Sequence, residues 1–226
     1  MAFRLIICCA LGLSPAIAAE TAEIEGTITI HRPLTRRKVT VAASAYERGV
    51  AVPPGVTAED DALGFERSHV VIYLEGDLPS KPGMATMNQK NKQFGPDLLA
   101  IPAGSTVSFP NLDPIFHNVF SLSKIKEFDL GNYPMDKTRV VTFGKPGIVF
   151  VNCHLHPNMT GVIVVSPNSF CVRAAQDGHF ALSDVPHGTY TIVAWHKAAG
   201  FFRKTVTVTD GPVAPVTFLI PLAATP

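Results

Sequence analysis

Charged side chains are scarce in this chain, and neither sign is in excess. Its 226 residues include 19 lysines and arginines against 18 aspartates and glutamates, so the formal net charge is +1. A protein that binds nucleic acid usually carries a basic surplus on one face, so this balance argues against that class. Long apolar runs are missing from the chain after the N-terminal segment, and none there reaches the roughly 20 residues of a transmembrane helix. We therefore expect no stable insertion into a membrane.

The one marked apolar run lies at the N-terminus and resembles a secretory signal. Arg4 supplies a positive charge, residues 5–13 are apolar, and residues 16–18 form a small-residue cleavage site. The run is too short to span a bilayer. We predict that residues 1–19 are a signal peptide and that the remaining chain is exported to a periplasm.

Cysteine is also rare, and only two of the four cysteines, Cys153 and Cys171, lie beyond the predicted signal. In an oxidising compartment two cysteines are by default expected to form a disulfide. One hypothesis is therefore an adhesive or structural β-protein with a Cys153–Cys171 disulfide and no metal. It leaves unexplained why His156 and Met159 stand beside Cys153.

Helical periodicity is absent after the signal, and the pattern is that of short strands separated by turns. Residues 24–30 alternate apolar and polar side chains, whereas residues 39–43, 70–74, 148–151 and 161–165 are mostly apolar and rich in β-branched side chains. Residues 49–64 are typical of a surface loop. Short strands at this spacing predict an all-β protein built from β-sandwiches. We divide it into a β-strand segment at 20–80, a domain at 84–167 and a β domain at 168–226.

The most informative motif is Cys-His-Leu-His-Pro-Asn-Met at residues 153–159. It places a thiolate, two imidazoles and a thioether in one short loop between two predicted strands. His117, which follows another predicted strand, supplies a further imidazole. One cysteine, two histidines and a weak methionine are the ligands of an electron-transfer copper centre. The sequence therefore predicts a site for one copper ion at His117, Cys153, His156 and Met159.

Residues 84–167 resemble the cupredoxins, the blue (type 1) copper family. The loop pattern is similar to that of the amicyanins, which also place histidine three and methionine six residues after the cysteine. The resemblance implies a Greek-key β-sandwich in which His117, Cys153 and His156 are equatorial ligands and Met159 is axial. It also implies that the backbone amide of Asn118 donates a hydrogen bond to the thiolate.

The third segment resembles the carboxypeptidase-regulatory-like or transthyretin-like β-sandwich modules, through residues 178–180 and 185–190. The first segment has a similar pattern, and we expect it to complete the same sandwich with the copper domain interposed. Such modules are mostly structural or adhesive. The implied fold is a cupredoxin-like sandwich packed with this second sandwich.

Other candidate ligands are expected to have different roles. His154 should point away from Cys153, towards solvent or a hydrogen-bond partner. Met87 and Gln89 either lie near the site or form a polar edge strand, which we favour. The remaining histidines are expected in turns or on the surface: His31, His69, His179, His187 and His196.

A filled ligand set leaves no position for a substrate, so the expected function is an electron carrier and not an enzyme. We expect His156 to lie near the surface, inside an apolar docking patch made by Pro114, Ile115, Phe116, Leu155 and Pro157. Transient redox encounters use small interfaces of this kind. The resemblance implies a dehydrogenase or a cytochrome as partner, and lysines are candidates for steering it: Lys90, Lys92, Lys124 and Lys126. The alternative is a copper-binding or delivery protein without an electron-carrier role.

Overall fold

Residues 20–35 and 62–221 are described by the computed structural model. The predicted signal at 1–19, the predicted strand at 39–43 and most of the predicted loop at 49–64 lie outside these ranges. Within them there is one short helix, Ala62–Ser68 (α1), and the other regular elements are strands. No helix within the described residues is long and apolar enough to cross a membrane.

The all-β prediction is confirmed, and four main sheets account for it. The strands in chain order are Thr21–Thr29 (β1), Val70–Glu75 (β2), Met84–Thr86 (β3), Asn88–Lys90 (β4), Gln93–Gly95 (β5), Leu98–Pro102 (β6), Ser105–Pro110 (β7), His117–Ser123 (β8), Lys126–Tyr133 (β9), Thr138–Phe143 (β10), Gly147–Asn152 (β11), Thr160–Ser166 (β12), Cys171–Arg173 (β13), His179–Pro186 (β14), Gly188–His196 (β15), Gly200–Val208 (β16) and Val216–Leu219 (β17). The sheets have the strand orders β14-β1-β17, β13-β2-β15-β16, β6-β12-β11-β8-β9 and β10-β7-β3, and β4 pairs with β5 in a hairpin.

The first and third sequence segments build one sandwich together. Strand β1 pairs with β14 and β17, and β2 pairs with β13 and β15. Their inward side chains form one buried apolar cluster that includes Ile24, Ile72, Ile192 and Phe218. The intervening segment forms the other sandwich, whose sheets cross over between non-consecutive strands as in a Greek key.

The two sandwiches are stacked through a third apolar cluster, which explains the continuously apolar strands. In β12, Ile163 and Val165 face the interior of the second sandwich, whereas Val162 and Val164 face the junction. Alternate residues of β2 and β15 divide in the same way between the first sandwich and the junction. Because successive side chains of a strand point to opposite faces, strands buried on both faces lose the alternation of polar and apolar residues. The candidate ligands lie in the second sandwich.

Candidate metal centre

The motif loop joins two paired strands and so has both ends fixed. Strands β11 and β12 are antiparallel, with Asn152 opposite Thr160. Residues 153–159 are therefore the connection of this hairpin, and the amide of Met159 closes it by donating to the carbonyl of His156 at 2.9 Å. His117 begins the neighbouring strand β8, in which Phe120 pairs with Asn152. Strand pairing thus brings His117 to the end of the sheet that carries the loop.

Three of the four predicted ligands converge. The Nδ1 atoms of His117 and His156 are 3.1 Å apart, and the Sγ atom of Cys153 is 4.0 Å from the first and 3.7 Å from the second. A point equidistant from the corners of such a triangle lies about 2.1 Å from each atom, close to the metal–nitrogen and metal–sulfur distances of roughly 2.0–2.3 Å found in proteins. The donor set and its spacing fit a copper ion.

Asp113 fixes which nitrogen of His117 faces this triangle. Its Oδ2 atom is 2.8 Å from Nε2 of His117, and the carboxylate is almost fully buried. Burial opposes ionisation of Asp113, but hydrogen bonds from the Lys92 backbone and from His117 outweigh it and hold the pKa below its ordinary value. A carboxylate only accepts hydrogen bonds, so Nε2 carries the proton and Nδ1 presents its lone pair to the other donors.

The sulfur of Cys153 has the predicted backbone partner. The amide of Asn118 donates to Sγ at 3.4 Å, which confirms the hydrogen bond that the resemblance implied. The side chain of Asn118 in turn donates to Asp129 at 2.6 Å. Cys153 is 4% exposed and His117 is 0% exposed, so both donors are shielded from water.

His156 is the most accessible of the three converging donors. It is partly exposed, and its pKa is lowered first by burial and then by the charges of His117 and Lys92. The neighbouring apolar side chains predicted as a patch are exposed: Ile115 by 37%, Leu155 by 45% and Phe116 by 56%.

Met159 is buried beside these donors in the same apolar cluster as Cys153. Met87 belongs to that cluster too, and a Cβ atom built on Gly161 would lie 3.2 Å from the Sδ atom of Met87. Two buried thioethers therefore lie near the end of this hairpin. The assignment of Met159 as the axial ligand stays a prediction.

His154 is not among the converging donors. Its ring stacks on Phe120 with centroids 3.7 Å apart, and its Nε2 atom is 3.5 Å from a carboxylate oxygen of Asp129. It is half exposed. The expected solvent and hydrogen-bonding role is confirmed.

The expectation of a polar edge strand is wrong for the side chains of Met87 and Gln89, which are both 0% exposed. Gln89 does lie in the short hairpin strand β4, but its amide donates to Phe109 O at 3.3 Å and to the hydroxyl of Tyr133. The Oε1 atom of Gln89 has no hydrogen-bond partner among the described residues. Strand β4 pairs with β5 and also bridges through Gln89 to Asn111, and Gln89 is its one buried residue.

The expectation of a surface or turn position is wrong for His196, which is 0% exposed at the end of β15. Its Nε2 atom is 3.0 Å from Oε2 of Glu66, and its Nδ1 atom accepts a hydrogen bond from the amide of Ala198. His69 is only partly exposed, with Nε2 3.1 Å from Asp97. These pairs could not be predicted from the sequence, because each joins residues far apart in the chain.

The Cys153–Cys171 disulfide of the alternative hypothesis does not form, since both thiols are free. Cys171 lies in β13, which pairs with β2 of the other sandwich. Lys124 and Lys126 follow the end of β8 that is farther from His117, about 20 Å away at the usual rise per residue of a strand. Their role in steering a partner stays a prediction.

Asp113 is a candidate functional residue that the sequence did not predict. An acidic residue four positions before a predicted histidine ligand is a signal that could have found it. A second cluster, formed by Glu20, His187 and Asp210, also brings three donors together, but its carboxylates are exposed. Exposed acidic clusters of this kind are common without a metal.

Solved structures similar to part of this chain include copper proteins. A purple cupredoxin from Nitrosopumilus maritimus is 26% identical over 36% of this chain and 99% of its own, with a TM-score of 0.34. A copper-containing nitrite reductase from Thermus scotoductus SA-01 is 27% identical over 41% of this chain, with a TM-score of 0.35, and this chain spans only 23% of its length. A reduced amicyanin variant is 21% identical over 42% of this chain and 98% of its own, with a TM-score of 0.35.

No protein-family model and no curated protein sequence matches the chain. TM-scores below 0.5 carry no weight for the whole chain.

Proposed function

We propose that this chain is an exported type 1 copper protein that shuttles single electrons between redox proteins in a periplasm. The observation that carries the proposal is the triangle of Cys153 Sγ and the two Nδ1 atoms of His117 and His156, with sides of 3.1 to 4.0 Å. His117, Cys153, His156 and Met159 would hold the ion, which when bound supplies a one-electron Cu(I)/Cu(II) couple.

The proposed carrier role follows from how the donors are placed. His117 and Cys153 are buried, and Met159 is 1% exposed. A set of three strong donors and one thioether leaves no obvious position for a substrate, which favours electron transfer over catalysis. His156 is the donor whose ring reaches the surface, so we assign it as the point of electron entry and exit.

A docking surface for a redox partner surrounds His156. Ile115, Phe116 and Leu155 form its exposed apolar part. Lys92 contributes a positive charge that acts on His156, and Lys90 lies on the same hairpin. We propose a transient partner with an acidic rim, of the dehydrogenase or cytochrome type, whose association with this surface should weaken as salt is raised.

The test is a comparison of the two cysteines. Copper-loaded wild-type protein should show an intense visible absorption band from thiolate bonding, and Cys153→Ser should lose it. Cys171→Ser is the matched control and should keep the band. A Cu(II) complex without this band, or one unaffected by Cys153→Ser, would contradict the proposed site.

A copper-delivery role can be distinguished from electron transfer by how readily the protein releases copper. An electron carrier should show reversible voltammetry and retain copper in the presence of a competing chelator. Preferential binding of Cu(I) and its rapid transfer to an acceptor would instead support delivery. The burial of His117 and Cys153 favours retention.

A further inference from the structure

One buried carboxylate connects a ligand of the proposed copper site to a distant turn. The Oδ1 atom of Asp113 accepts the backbone N–H of Asn91 at 2.7 Å, and Oδ2 accepts that of Lys92 at 2.9 Å. The same Oδ2 atom lies 2.8 Å from Nε2 of His117. Asp113 is 7% exposed, so water competes little for these bonds.

The turn is shaped to make these two contacts. Asn91 and Lys92 join β4 to β5, and both have left-handed backbone angles, with φ of 55° and 56°. Two successive residues of this kind are typical of a tight hairpin turn. Here the turn directs two consecutive amides at one carboxylate. The Asp113 side chain is therefore held by this turn as well as by His117.

This arrangement determines which tautomer His117 adopts. Because Asp113 accepts the proton on Nε2, the lone pair of Nδ1 points towards Cys153 Sγ and His156 Nδ1. The opposite tautomer would leave the carboxylate facing a lone pair and would place a proton among the donor atoms. Hydrogen bonds from the second nitrogen of a metal-binding histidine fix its orientation and increase its basicity.

We propose that Asp113, held by the Asn91–Lys92 turn, is a positioning residue that sets both the tautomer and the donor strength of His117. The effect on donor strength rests on the proposed copper function, whereas the effect on the tautomer does not. A negative charge behind the ring strengthens Nδ1 as a donor and favours Cu(II) over Cu(I). Outer partners of this kind are typically worth about 10-fold to 100-fold in metal affinity. If Asp113 favours Cu(II) selectively by tenfold, its loss raises the reduction potential by about 59 mV.

The first experiment needs no copper. Nitrogen-15 NMR of the histidine rings in the metal-free protein should show His117 protonated at Nε2. Asp113→Asn and Asp113→Ala should give a mixture of tautomers or the Nδ1-protonated form. Lys92→Gly is the matched control, because it removes the charge but keeps the amide and tolerates the left-handed angle; it should leave the wild-type tautomer unchanged.

The second experiment measures the reduction potential of the copper-loaded proteins. The potential should rise in Asp113→Asn by roughly the shift given above and should change less in Lys92→Gly. Wild-type His117 protonated at Nδ1, or an unchanged tautomer and potential in Asp113→Asn, would overturn the proposal. The tautomer of the wild type is measurable even if the variants do not fold. Failure of the copper proposal would appear separately, as a missing thiolate band with the tautomer as expected.

Discussion

Replacement of Met159 by leucine should separate its packing role from its proposed role as a copper ligand. Met159 is 1% exposed inside the cluster that also contains Cys153, so its side chain contributes fully to the apolar core. Leucine has a similar volume, and such swaps usually cost less than about 1.5 kcal/mol of unfolding free energy. Alanine would leave a cavity and should cost about 2–5 kcal/mol.

The copper-loaded protein should respond differently. Leucine removes a weak donor and makes the surroundings of the ion less polarisable, which disfavours the higher charge of Cu(II). We therefore expect Met159→Leu to raise the reduction potential and to change the visible and paramagnetic-resonance spectra, although the metal-free protein stays nearly as stable as wild type. Urea unfolding of the metal-free protein and voltammetry of the loaded protein measure the two effects.

Met87 provides a matched control for this substitution. It is 0% exposed, carries the same thioether and belongs to the same cluster. Met87→Leu should have a similarly small effect on stability and should leave the spectra unchanged. If Met87→Leu shifts the potential and Met159→Leu does not, the axial assignment read from the sequence is wrong. If neither shifts it, both methionines are only core residues.

Two further predictions concern the other sandwich. Gly26→Ala would put a Cβ atom 2.2 Å from the carbonyl oxygen of Val216 and 2.3 Å from the ring of Phe180, so we expect thermal unfolding to show a loss of at least ~1–3 kcal/mol. Acidification should also destabilise the metal-free protein. Burial lowers the pKa of His196, so the unfolded chain takes up a proton near pH 6.5 that the folded protein refuses. Burial opposes ionisation of Glu66, but hydrogen bonds from Thr35 and Leu34 hold its pKa below 4.5. The ionised carboxylate therefore stabilises the fold fully above pH 4.5, and this stabilisation is lost as the pH falls through the lowered value. Urea unfolding between pH 7 and 4 should show a steeper decline below pH 4.5 for wild type than for Glu66→Gln, and equal slopes would contradict this.

The sequence was sufficient for the parts of the site that local spacing determines. The loop from Cys153 to Met159 is short, and the apolar runs on either side of it had to be strands, so its geometry as a hairpin connection followed. His117 was predicted because it follows another predicted strand and supplies a further imidazole. Strand pairing in the structure brings it to the same end of the sheet.

The contacts that the sequence did not predict all join residues through tertiary packing. Asp113 meets the Asn91–Lys92 turn only because β4 and β5 fold over this end of the sandwich. His196 meets Glu66 only because α1 packs beside the end of β15. No periodicity or motif in the sequence predicts such tertiary contacts. Buried polar side chains are therefore the hardest part of a site to find in a single sequence, because their burial depends on partners that are distant in the chain.

The strands hold the proposed ligands in place, and this rigidity favours electron transfer more strongly than the chemical identity of the ligands does. Cys153 directly follows β11 and His117 begins the adjacent strand β8, so their separation is set by the hydrogen bonding of one sheet. Met159 precedes β12 and is tied back to His156 within the loop. A donor triangle that already has metal-like spacing requires little movement when the charge of an ion changes by one. Since slow rearrangement is what would limit electron exchange, a site held at both ends by paired strands is suited to a carrier. A delivery site would instead need ligands that can open, and of the three converging donors only His156 lies on a loop at the surface.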